Sequence, residues 1–229
     1  MGMNSRVEDN IFKVSQYMKT VAFIDGVSMY VMSKEIGYDF DYRRILESLA
    51  ENCDFLRPYY YNRVAAPTPE ERAEGQVDQT IMPLVDYLKY NGYTVELREI
   101  EAESDDDGRR RMQGSIVLDI YTDVFRLVSR GKIEQVVLFA TNSDYVPLVK
   151  LLKDMCIRVV LVTNSGDKKQ GINSSSSKLL RIQADELVNL ASDEVAEAIR
   201  LRRGPAVQPA VVQTRRTAGG GSRILTPRS

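Results

Sequence analysis

The 229 residues, 43% of them hydrophobic, leave room for one good-sized domain plus tails. With no histidine and only two cysteines, Cys53 and Cys156, the chain cannot build a Ser-His-Asp or Cys-His nucleophile, a histidine general base or a Cys/His zinc site. The net charge of −1 hides an asymmetry: from Arg200 onward there are seven arginines and no acid, so residues 1–199 sum to −8, an acidic body with a basic tail.

Residues 1–18 are polar and read as a loosely ordered N-terminal extension without the apolar core of a secretory signal. "TVAFID", Thr20 to Asp25, is a short apolar run of the kind a fully buried strand makes, and Gly26 breaks it. "VSMYVMSKEI" has helical spacing. Asp41 to Cys53 predicts a second helix, with Ile45, Leu46 and Leu49 on one face. Phe55 to Val64 reads as an aromatic-rich strand, followed by a polar turn with Pro67 and Pro69. "VDQTIMPLVDYLKYNGY" is a helix closed by Asn91-Gly92. Tyr93 to Ile100 alternates like a strand, and "EAESDDDGRRRMQG" is a charged loop. A helix over "SIVLDIYTDVFRLVSRG" stops at Gly131. Then come the strand "QVVLFA", the helix "DYVPLVKLLKDM" and the strand "IRVVLVT". "SSSSKLLRIQADELVNL" is a shorter element, Asp193 to Arg203 predicts a terminal helix, and 204–229 is a disordered basic tail.

Strands that are continuous apolar runs, alternating with helices, predict a parallel sheet covered on both faces. Ligands of such sheets bind beyond the carboxyl ends of the strands. Asp25 ends the first strand and Asp144 follows the fourth, so both belong to one rim. Asp123 sits among Ile116, Ile120, Val124 and Leu127 on the helix before that strand, with Asp119 one turn earlier. A carboxylate beside a buried stripe needs a partner, and a shared Mg²⁺ or Mn²⁺ would serve. Such a cation activates water without histidine.

Each residue also has a plainer role. Asp25 suits a strand-end turn, Asp144 or Ser143 a helix cap, and Asp123 an ion pair with Arg126. Arg109, Arg110 and Arg111 read as a solvated turn or as phosphate contacts, and Asp105 to Asp107 as a solvated loop. Tyr59, Tyr60 and Tyr61 read as packing residues before a base-stacking platform. Ser174 to Ser177 reads as a flexible loop or helix start. The distant, unpaired cysteines predict buried thiols in a reducing, cytoplasmic setting, and no apolar run predicts a membrane span.

"VAFIDGVSMY", "YYYN", "LKYNGYTVELREI", "QGSIVLDIYTDVF", "VVLFATNSDYVPLVKLLKDMCIRVVLV" and "SSSSKLLRIQADELVNL" together resemble an NYN domain, of the LabA-like branch of the PIN-like nuclease superfamily, over residues 19–192. The resemblance implies a Rossmann-like three-layer α/β/α sandwich with a mostly parallel sheet of about five strands. It also implies an acidic metal site and ribonuclease activity. The family's strand-end aspartate matches Asp25, its helix aspartate Asp123, and the last acid of its "SGDSDF" segment Asp144. The chain departs from the pattern at Ser28, usually Asn, and at Gln113, Ser115, Val117 and Asn142, which stand for Lys, Asn, Asp and Asp.

Two functions follow from the resemblance. One is a ribonuclease acting on single-stranded RNA, with Mg²⁺ or Mn²⁺ on Asp25, Asp123 and Asp144, helped by Asp119. Ser28, Thr141, Asn142, Ser143 and Arg109 to Arg111 would then hold substrate. The other is a catalytically silent module that binds RNA or a protein partner, a second copy of the chain included.

Overall fold

The computed structural model describes residues 10–67, 81–100, 102–104, 110–112 and 114–201. Six strands form one sheet: β1 (Lys19–Asp25), β2 (Asp54–Ala65), β3 (Thr94–Ile100), β6 (Gln135–Phe139), β7 (Arg158–Thr163) and β8 (Glu186–Asn189). Every pairing is parallel, in the order β3-β2-β1-β6-β7-β8. Parallel strands need crossovers, and helices supply them. The helices are α1 (Gly26–Ile36), α2 (Tyr42–Asn52), α3 (Met82–Tyr90), α4 (Val117–Val128), α5 (Val146–Asp154), α6 (Lys178–Arg181) and α7 (Asp193–Ile199).

The two-residue period of the strands builds two cores. Ala22, Ile24, Val137, Phe139, Val160 and Val162 face α1, α2 and α7 through Met29, Met32, Ile45, Leu49, Val195 and Ile199. Val21, Phe23, Val136, Leu138, Val159 and Leu161 face α4 and α5 through Ile120, Val124, Leu148, Val149 and Leu152. The sandwich thus has the three layers expected. Tyr60 and Tyr61 are buried in opposite cores, and Tyr59 stacks on Phe23 with ring centroids 5.2 Å apart, so this run is packing.

Five local differences from expectation stand out. The sheet has six strands, because the short β8 pairs Leu187 and Val188 with Leu161 and Val162; four residues are too few to show a period. The charged loop holds an antiparallel pair, β4 (Ala102–Ser104) and β5 (Arg110–Met112), made by backbone pairing that hydrophobicity does not mark. The N-terminal extension is anchored: Ile11, Phe12 and Val14 are buried, and Phe12 meets Phe139 edge-on at 5.8 Å. The terminal helix ends at Ile199, where Arg200 bridges back to Phe40. Both cysteines are free thiols, but only Cys53 is buried; Cys156 is exposed. Among the described residues no helix is long and apolar enough to cross a membrane. Asp105 to Asp107 and the tail beyond residue 201 lie outside the described residues.

Strand order reverses between β1 and β6. That switch point opens a crevice at the carboxyl ends of these two strands, where open α/β sheets bind ligands.

Candidate functional site

Asp25 leaves β1 and caps α1. Its Oδ1 accepts hydrogen bonds from the backbone N–H groups of Val27 and Ser28 at 2.9 and 3.1 Å. Its Oδ2 accepts from the Ser28 hydroxyl at 2.8 Å and the Tyr145 hydroxyl at 3.0 Å. Asp25 as a whole is 4% exposed, and four neutral donors and the helix N-terminus carry its charge. Burial and the Asp25 charge hold the Tyr145 phenol far above its ordinary pKa, so it stays a donor. Ser28 also accepts from the Thr141 N–H at 3.1 Å, tying the end of β1 to the end of β6.

Past β6, Asn142 caps the short 3₁₀ turn Ser143–Tyr145. Its Oδ1 accepts from the Asp144 N–H at 3.0 Å, and its Nδ2 donates to Asp144 Oδ2 at 2.8 Å. An acid at 142 would supply no such donor and would set two negative charges side by side. The amide supplies the compensation that a cation gives in a two-acid turn.

Asp25, Ser28, Thr141, Asn142, Ser143 and Asp144 line one cavity of about 550 Å³, together with Arg63, Val117, Ser175 and Ser177. The fold therefore brings six of the candidate residues together. Asp119 and Asp123 line a neighbouring cavity of about 430 Å³ with Tyr61 and Arg98, on the other side of Ile116, which borders both. Asp123 accepts from the Tyr61 hydroxyl at 2.9 Å and pairs with Arg126 at 2.6 Å. Asp119 pairs with Arg98, and its Oδ2 is enclosed without a hydrogen-bond partner.

The cause is angular. Val117 is the residue of α4 that borders the cavity of Asp25 and Asp144. Six residues on, at roughly 100° per residue, Asp123 points about 120° away from it round the helix. Asp119 and Asp123, one turn apart, share the far line. Among the described residues no three His, Cys, Asp or Glu side chains stand close enough to hold a metal ion. The expected gathering of Asp25, Asp123 and Asp144, with Asp119, round one Mg²⁺ or Mn²⁺ does not occur in this arrangement, and the donor set does not fit that cation. A carboxylate offers about four acceptor sites, and the four donors on Asp25 occupy them.

Arg110 and Arg111 lie on β5, opposite Ser104 and Glu103; Arg109 lies outside the described residues. Sequence reasoning missed Arg63 and Tyr145. Arg63 reaches the cavity from β2 and donates to the Gly114 carbonyl at 2.9 Å. A cation near the carboxyl end of a buried strand was the available signal for it. Tyr145, fully buried, left only its place after Asp144.

The sequence model of the NYN domain family matches residues 19–191. Low amplitude and bright protein LabA of Synechococcus elongatus is 25% identical over 148 residues, which cover 63% of this chain and 73% of that protein. The crystal structure of a protein of unknown function from Vibrio parahaemolyticus superposes with a TM-score of 0.53 at 16% identity, covering 80% of this chain and 98% of that one; this likeness concerns the fold. The chain therefore belongs to the NYN domain family, in the LabA-like branch of that PIN-like, nuclease-type group.

Proposed function

We propose that this chain is an RNA-binding NYN domain whose cavity holds single-stranded RNA without cleaving it. One observation carries the reading: among the described residues that line the switch-point cavity, Asp25 and Asp144 are the carboxylates, with Val117 and Asn142 where the family pattern has acids. Phosphodiester hydrolysis in a site without histidine relies on a cation to make the nucleophile and stabilise the developing charge. Here both retained acids are engaged by donors of the chain itself.

What remains suits backbone binding. The hydroxyls of Ser143, Ser175 and Ser177 and the guanidinium of Arg63 line the mouth with donors for phosphate oxygens, while Asp25 lies below them. Arg109 to Arg111 and the arginines from Arg200 onward add charge that follows the backbone without reading sequence. Free thiols at Cys53 and Cys156 fit a reducing, cytoplasmic setting.

The test is labelled single-stranded RNA with the full chain in Mn²⁺, in Mg²⁺ and in chelator. The expected result is retention of intact RNA, equal with and without metal. Metal-dependent cleavage that disappears in Asp144→Asn would overturn the reading in favour of a ribonuclease. Absence of RNA retention at low salt would overturn it in favour of a protein-binding module.

A further inference from the structure

We infer that the aromatic groove beside the polar cavity is a nucleobase subsite, in which a base of bound RNA stacks on Tyr30 and Tyr87. This rests on the RNA-binding reading and adds to it the part of the ligand recognised. The groove has a volume of about 890 Å³, within the range of small-molecule sites. Its walls include Met29, Leu84 and Pro83 besides the two tyrosines.

Three observations favour a base over another apolar occupant. First, Tyr30 and Tyr87 are 64% and 41% exposed, and flat aromatic faces accept any base by stacking. Second, the Lys34 ammonium stands over the Tyr30 ring, 5.3 Å from its centroid, so this aromatic group already carries a cation on one face. Third, the groove adjoins the polar cavity: Val27 and Arg63 line both. Arg63 spends one donor on the Gly114 carbonyl and keeps others for phosphate. An aromatic recess, then the Arg63 guanidinium, then a hydroxyl-lined cavity would take in turn a base, its phosphate and the next stretch of sugar–phosphate backbone. An apolar peptide would match the recess but would leave the Arg63 guanidinium at the junction without a phosphate.

The experiment follows the tyrosine ring resonances of the full chain by NMR during titration with each of the four nucleoside 5′-monophosphates and with ribose 5-phosphate. RNA binding by wild type, Tyr30→Ala and Tyr30→Phe is measured beside it. Nucleotides should shift the Tyr30 and Tyr87 rings and ribose 5-phosphate should not. Tyr30→Ala should weaken RNA binding about tenfold, and Tyr30→Phe should keep it. Rings that ignore every nucleotide, or that shift only with protein concentration, overturn the subsite; the latter assigns the groove to a second copy. RNA retained with silent rings leaves the RNA reading standing without the subsite. Rings shifted by nucleotides, in a chain that retains no RNA, leave the subsite standing alone.

Discussion

Asp25 and Gly26 show how little freedom the centre of the site has. A Cβ on Gly26 would lie 2.5 Å from the Tyr60 hydroxyl and 2.8 Å from the Tyr61 carbonyl oxygen. The second contact is with backbone, which cannot swing aside as a side-chain tip can. Gly26→Ala is therefore expected to cost about 1–3 kcal/mol, the usual range for overpacking, read as a lower urea midpoint. Ser28→Ala tests the next residue. It removes one donor from Asp25 and the acceptor of the Thr141 N–H, and an unmet buried polar group costs about 1–3 kcal/mol. A midpoint unchanged by Ser28→Ala would mean that the tie between β1 and β6 contributes nothing.

At the scale of elements, the question is where α4 turns its acids. Val117 is the first residue of α4 and borders the cavity, so Val117→Asp places a charge at a helix N-terminus, where it is favoured. Combined with Asn142→Asp, it would bring two further carboxylates to the cavity that Asp25 and Asp144 already line. The double variant is expected to gain thermal stability on addition of Mn²⁺, about 2.7 kcal/mol at a hundredfold excess over its dissociation constant. Wild type should gain none, and equal gain in both would show that a cation already binds. The same geometry explains what the sequence could reveal. The order of strands and helices was legible because continuous apolar runs and helical stripes are long. That Asp25 and Asp144 share a rim followed from parallel topology. The angle between Val117 and Asp123 was legible at roughly 100° per residue; which of the two meets the rim was not, because that depends on how α4 docks on the sheet. The β4–β5 pair and β8 escaped because they are short and lack an apolar period.

Across the whole molecule, stability follows what titrates inside it. The chain has no histidine, so no side chain with an ordinary pKa between about 5 and 8 changes charge on folding. The buried ionisable groups are chiefly phenols. Burial raises Tyr42, Tyr60, Tyr61, Tyr93 and Tyr145 above the ordinary 10.0, and Asp123 beside Tyr61 and Asp25 beside Tyr145 push the same way. Above pH 10 the unfolded chain releases these protons while the folded chain keeps them. The unfolded state then binds fewer protons, and stability falls as pH rises. Below pH 10 both states hold the protons and the phenols leave stability unchanged. Each phenol kept neutral removes about 1.4 kcal/mol per pH unit above that point. The urea midpoint should be level from about pH 6 to about pH 8, begin to fall as the buried Cys53 thiol titrates in the unfolded chain first, and drop steeply beyond about pH 10; Tyr61→Phe, which removes one titrating group, should make that drop shallower. Tyr61→Phe also deprives Asp123 of its neutral donor, so its midpoint at pH 7 is the reference for that slope. A midpoint level through pH 11 would mean that these phenols ionise as readily in the fold as outside it, and that the cores on either side of β2 admit water.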